Sequence, residues 1–169
     1  MIPREIDTRA FRDALGVFAT GVTVVTTRTR DGSCAGLTVS SFNSVSLNPP
    51  LIVWSLSLDS PNLEAFLHCE HYAVNVLAGD QVELSRRFAL PMIDKFAGLD
   101  FEQGIGGVPL LRDCCGWFEC RNALRHDGGD HLIFIGAVER FAWEDRPPLV
   151  FQGGRYRLLA DLPGAAGAE

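Results

Sequence analysis

Gly36 to Phe66 runs GLTVSSFNSVSLNPPLIVWSLSLDSPNLEAF, and its first half sets five hydroxyls among residues that belong in strands. Val39, Phe42, Val45 and Leu47 are strand formers, so Thr38, Ser40, Ser41, Ser44 and Ser46 between them are expected to line a sheet edge or rim. Pro49 and Pro50 break this strand. Leu51 to Leu56 resumes as a short apolar run ending in Ser55 and Ser57, and Ser60-Pro61 reads as the N-cap and first residue of a helix. On spacing alone two readings stay open. The hydroxyls cap strand ends and turns, or a serine-rich strand end feeding a helix N-terminus holds an anion.

Working outward toward the N-terminus, Val22 to Arg30 is β-branched and reads as a strand, Asp31-Gly32 is a hairpin turn, and Cys34 onward is the return strand. Before it, Asp7 caps a helix in which Phe11, Ala14, Leu15 and Phe18 recur at helical spacing, giving an apolar stripe expected to lie against the sheet.

Toward the C-terminus, a helix runs from Pro61 to about His68, followed by a buried strand from Tyr72 to Leu77. Asp80 with Glu83 resembles a capping box for a helix whose apolar face holds Leu84 and Phe88. Residues 89–108 are read as a long loop, a length often associated with function. Cys115 to Leu124 and Leu132 to Trp143 alternate as strands, joined by the turn Asp127-Gly128-Gly129-Asp130. Leu149 to Phe151, the Gly153-Gly154 turn and Tyr156 to Leu159 form a last short return. Residues 1–160 are expected to form one domain, and 161–169 a disordered tail.

At 169 residues the chain can bury a core but has no room for a separate nucleotide-binding domain. Its net charge of −6, without a run of Lys or Arg, argues against nucleic acid or an anionic membrane as partner. No stretch approaches the ~20 apolar residues of a membrane span, and the expected location is cytoplasmic. Five cysteines without a C-x-x-C pair read as free thiols rather than a disulfide framework or zinc ribbon. His68, Cys69 and His71 crowd one helix end and are read as a polar terminus, not as metal ligands. Gly104-x-Gly106-Gly107 has the wrong spacing for a dinucleotide fingerprint and no helix behind it.

Many short strands with few helices indicate a mainly β protein with flanking helices, an antiparallel barrel closed or nearly so. Propensity alone does not separate a split barrel from a lipocalin-like one. The run TVSSFNSVSLNPPLI resembles the signature of the flavin reductase-like family, and three further segments extend the resemblance from about Phe11 to about Tyr156. These are FATGVTVVT from Phe18, DKFAG from Asp94, and Gly129-Asp130-His131. The resemblance implies the antiparallel split β-barrel that binds FMN, and reduction of FMN (or FAD) by NADH (or NADPH). It also implies a homodimer that supplies reduced flavin to a separate oxygenase component.

Carried over residue by residue, the resemblance places Thr38, Val39, Ser40 and Ser41 around the flavin ring and ribityl chain, with Val45 and Ser46 in the same groove. Ser55, Leu56, Ser57, Ser60 and Asn62 follow the ribityl chain to the phosphate. Arg87 would clamp the phosphate through its guanidinium, with Phe88 beside it; the alternative is a solvated helix face. Gly129, Asp130 and His131 would lie beside the nicotinamide, His131 as the catalytic residue donating a hydrogen bond and Asp130 orienting its ring. Read from the residues alone, a His right after a Gly-rich turn is more often a surface hairpin residue than a catalytic one. Tyr156 would close over the flavin site.

Two other functions compete with the reductase. A non-enzymatic flavin carrier or sensor would not need the Gly129-Asp130-His131 site. A pyridoxamine-phosphate-oxidase-like barrel would cluster more basic residues around its phosphates.

Overall fold

The computed structural model describes residues 6–91 and 94–161. In chain order the elements are α1 (Thr8–Leu15), β1 (Thr20–Gly21), β2 (Thr23–Arg28), β3 (Cys34–Val39), β4 (Asn43–Leu47), β5 (Pro50–Ser57), α2 (Leu63–His68) and β6 (His71–Val76). There follow α3 (Val82–Ala89), β7 (Phe101–Gln103), β8 (Pro109–Leu111), β9 (Gly116–Asp127), β10 (His131–Trp143), β11 (Val150–Gln152) and β12 (Arg155–Arg157). Seven strands pair antiparallel in the order β3-β2-β6-β9-β10-β5-β4. A smaller sheet runs β1-β11-β12, and β7 pairs with β8.

β-branched side chains make β2 a strand, and its threonines stay buried because each hydroxyl reaches a carbonyl. Thr23 donates to Val39 at 3.2 Å, Thr26 to Pro109 at 2.6 Å and Thr27 to His71 at 2.7 Å. β3 and β4 are consecutive in the chain yet lie at opposite edges of the sheet, joined only by Ser40, Ser41 and Phe42. Laid flat, seven strands at about 4.8 Å spacing would hold those edges about 29 Å apart. The step from Val39 to Asn43 reaches at most about 14 Å. The sheet therefore has to curl until its two edges approach. Ser41 bridges the gap, its Oγ accepting from the Ser55 amide at 3.0 Å and donating to the Ser55 carbonyl at 3.3 Å. Among the described residues no ladder joins β3 to β4, so the curl stops short of a closed barrel.

The curl is filled by aromatic rings. Trp54 stacks on Phe134 at 4.5 Å and meets Phe66 and Tyr72 edge-on at 5.0 and 5.6 Å. All four are fully buried, each contributing about 1.5–3 kcal/mol of transfer free energy. Gly136 makes room for this packing, since a Cβ there would stand 2.3 Å from the Tyr72 hydroxyl. A second cluster, including Val24, Leu77, Phe88 and Leu149, lies under α3.

Several local expectations are corrected. The apolar side chains expected to form a stripe on α1 do not pack on the sheet: Phe11 and Leu15 are 54 % and 59 % exposed, and Phe18, 72 % exposed, lies beyond the end of the helix. Helical spacing shows which residues share a face, not what that face meets. α2 begins at Leu63 rather than Pro61, because Ser60 to Leu63 closes a turn in which Ser60 Oγ accepts the Asn62 amide. Asp80 does not cap α3 but pairs with Arg146 at 2.8 Å, Glu83 pairs with Arg86, and Gln81 stands at the N-cap. The segment 89–108 is not all loop, since β7 and a single 3-10 turn at Ile105–Gly107 lie within it. The β9 and β10 strands run closer to their shared turn than the alternation suggested. Residues 162–169 of the proposed tail lie outside the described residues. No helix among the described residues is long and apolar enough to cross a membrane. The five cysteines are free thiols.

Candidate functional site

Two relationships gather the serines. The bridge from Ser41 to Ser55 holds the end of β3 against β5, and the β5–β10 ladder sets His131 opposite Ser57. The Leu58 amide donates to the Asp130 carbonyl at 3.0 Å, which ties the β9–β10 turn to the end of β5. The result is a groove of about 330 Å³. Leu37, Thr38, Val39, Ser40 and Ser41 form one wall; Ser55, Leu56, Ser57 and Ser60 form the other, with His131 at the end.

The hydroxyls are not equivalent. Thr38 gives its proton to the Ser85 carbonyl at 2.7 Å and so offers the groove only lone pairs. Ser57 Oγ accepts the Asp59 amide and Ser60 Oγ the Asn62 amide, both at 3.2 Å. Each of these two keeps its own O–H proton to donate. The groove therefore accepts at Thr38 on one wall and donates at Ser57 and Ser60 on the other, which suits a ligand with ring N–H or hydroxyl groups on one side and acceptor oxygens on the other.

His131 Nδ1 lies 2.7 Å from Asp130 Oδ1. An ionised carboxylate only accepts, so Nδ1 is the donor, and Nε2 of the neutral ring accepts. The expectation that His131 donates to a ligand therefore applies only to the protonated ring. The bond from His131, followed by its charge, holds the Asp130 carboxyl below its ordinary value.

The other expected residues stand apart from this groove. Val45 is half exposed on edge strand β4, at the register shift between Ser44 and Ser46, and Ser46 is its neighbour. Asn62 precedes α2, and Gly129 and Asp130 lie in the turn beyond His131. Phe88 is fully buried, with its ring edge-on to Phe96 at 5.1 Å, and so acts beneath the groove rather than in it. Arg87 Nη2 donates to the Ala97 carbonyl, while its buried Nε has no partner. Tyr156 lies behind α3, its hydroxyl 2.9 Å from Ser85 Oγ.

Residues 15–160 match the flavin reductase like domain. The chain belongs to the flavin reductase-like family. It is 46 % identical over 155 residues to the FMN reductase (NADH) SmoA of Agrobacterium fabrum, covering 92 % of this chain and 88 % of that protein. It is 42 % identical to the reductase component of a flavin-dependent trigonelline monooxygenase of Acinetobacter baylyi, covering 88 % of this chain but 48 % of that protein. The structure of an NADH:FAD oxidoreductase from Streptomyces globisporus, SgcE6 in complex with NAD and FAD fragments, superposes with a TM-score of 0.87 at 34 % identity. That match covers 96 % of this chain and all of the other.

A somewhat larger depression of about 360 Å³ in this flavin reductase-like chain lies beside Trp117 and Phe141. Its arginines are already engaged, Arg140 by Glu119 and Arg112 by Asp100 and Glu102, which leaves it poorly equipped to bind an anion. Two residues that matter near the groove were missed in the sequence. Leu37 lines it, and strand alternation could have shown this. Ser85 sits beneath it, and a serine inside a helix gives no such signal.

Proposed function

We propose that the chain is an NADH:flavin oxidoreductase whose groove holds FMN, or the FMN portion of FAD, in a split β-barrel. The observation that carries this is the convergence of Thr38, Ser57, Ser60 and His131 on one groove in a member of this family. Bound flavin would supply the electron-accepting chemistry, taking up a hydride from the nicotinamide. The protein's part is positioning. Leu37, partly exposed, gives the groove apolar surface for a ring with Val39 and Leu56 buried behind it, Thr38 accepts from the ring, and Ser57 and Ser60 donate to the phosphate end. Further along, Arg87 has guanidinium donors to add to that phosphate. His131, its tautomer set by Asp130, takes a carboxamide N–H of the dinucleotide at Nε2.

The names of the relatives support NADH as reductant and a separate oxygenase component as recipient of the reduced flavin. A cytoplasmic location follows from the supply of that reductant. A homodimer is supported by apolar surface that a second copy would cover: Leu47 is 93 % exposed, and Phe141 and Trp143 stack at 6.3 Å while 61 % and 75 % exposed. The deciding experiment follows NADH loss in air with FMN and with FAD. Turnover beyond one equivalent is expected; binding of flavin without turnover would instead make the chain a carrier.

A further inference from the structure

Ser85 is wholly buried on α3 and uses both of its oxygens. Its carbonyl accepts the Thr38 hydroxyl at 2.7 Å, and its own hydroxyl lies 2.9 Å from that of Tyr156. One residue therefore joins a wall of the groove to β12, at the far end of the chain.

This junction matters because β3 is an edge strand. β2 is its one ladder partner among the described residues, so packing of α3 across one face, rather than a second ladder, steadies it. The contacts fall on alternate residues of one strand face, Gly36 against Phe88 and Thr38 against Ser85. α3 is held in turn by Tyr156, whose ring packs on Phe151 at 5.3 Å and lies under the Arg86 guanidinium at 5.7 Å. Tyr156 reaches no wall of the groove itself.

We propose that Ser85 and Tyr156 are positioning residues for the groove: their hydroxyl pair fixes α3, and α3 fixes both the edge strand and the direction of the Thr38 proton. The proposal rests on the reading of the groove as the flavin site. With its proton held by Ser85, Thr38 presents a fixed acceptor to a ligand N–H or hydroxyl. Once α3 loosens, the hydroxyl is free to rotate and the acceptor is no longer held in the direction the ligand needs.

The test is Tyr156→Phe, which keeps the ring and deletes one hydroxyl. Flavin affinity is read from quenching of FMN fluorescence, and kcat from NADH oxidation at saturating FMN. Thr27→Val is the control, since it deletes a buried hydroxyl that bonds the His71 carbonyl and does not touch α3. Tyr156→Phe is expected to raise the Kd for FMN about fivefold, with kcat changed by less than about twofold. Ser85→Ala should give a similar rise, and the double variant no further one, because both delete the same link. Thr27→Val should leave the Kd unchanged. An unchanged Kd in Tyr156→Phe, or an equal rise in Thr27→Val, overturns the proposal alone. A parent protein that binds no flavin overturns the reading of the groove, and the proposal with it.

Discussion

Gly36 and Phe88 meet so closely that no side chain fits between them: a Cβ on Gly36 would stand 2.9 Å from the Phe88 ring and 3.2 Å from that of Phe96. Both rings belong to the packing under α3, where Phe96 also meets Phe101 at 5.7 Å, so neither can swing away alone. Lys95 closes the same junction, its ammonium donating to the Phe88 carbonyl at 2.7 Å and the Gly36 carbonyl at 3.3 Å. Burial lowers the pKa of that ammonium.

Gly36→Ala should therefore act as an overpacking substitution, costing about 1–3 kcal/mol. Urea denaturation measures the cost. An unchanged midpoint would mean that α3 shifts freely, contrary to its anchoring by Lys95 and Ser85.

His131→Ala should impair use of NADH while leaving flavin affinity nearly intact. A lost hydrogen bond of about 0.5–1.5 kcal/mol, or up to about 3 to a charged group, corresponds to roughly 2- to 150-fold in kcat/KM. Folding should change little, because the turn is specified by Gly128 and Gly129, the latter at φ +80°. Unchanged kinetics would make His131 a hairpin residue and shift the search for the nicotinamide site toward Lys95 and Phe96.

Arg87→Ala should weaken FMN more than riboflavin, which lacks the phosphate. Titration of both flavins separates the two roles open to this side chain. Equal weakening would make Arg87 a strut that holds Ala97 and the surrounding loop to α3.

Glu119 should contribute to acid sensitivity. Its burial opposes ionisation, but two bonds from Arg140, one from the Ile105 amide at 2.6 Å, and the charges of Arg140 and His71 outweigh that and hold its pKa below the ordinary 4.5. A carboxylate depressed on folding stabilises the fold above its unfolded pKa, and that stability is lost as pH falls through the folded value. Glu119→Gln should therefore show a shallower loss of urea midpoint between pH about 6 and about 3 than the parent. Parallel curves would remove Glu119 from the acid response.

Much of the fold was legible because its signals are local. The β-branched run of β2, the Asp31-Gly32 turn and the glycine turn before His131 each depend on residues a few positions apart. The failures have the same origin. Phe11 and Leu15 lie on α1, but the helix ends before Phe18, and the chain holds no local record of what a helix face will meet. Ser60 reads as a helix cap from its neighbours, yet its hydroxyl closes a turn instead, a competition between neighbouring amides that composition does not resolve.

By local pattern alone the sequence marks most of the strands, the turns at Asp31-Gly32 and Gly128-Gly129, and the hydroxyls near two strand ends. It runs β3 and β4 together as one strand broken at Pro49-Pro50, whereas they lie at opposite sheet edges and Pro50 opens β5. Resemblance added the family and the identities of the groove residues. Only the tertiary structure decided which of them share a groove. His131 faces Ser57 through the register of the β5–β10 ladder, and Ser41 reaches Ser55 because the sheet curls. Tyr156 is carried behind α3 rather than over the groove by the small sheet it shares with β1 and β11. Propensity and periodicity act over a few residues, whereas ladder register and sheet curl are set between segments far apart in the chain, where burial of the aromatic core chooses among the arrangements the strands allow.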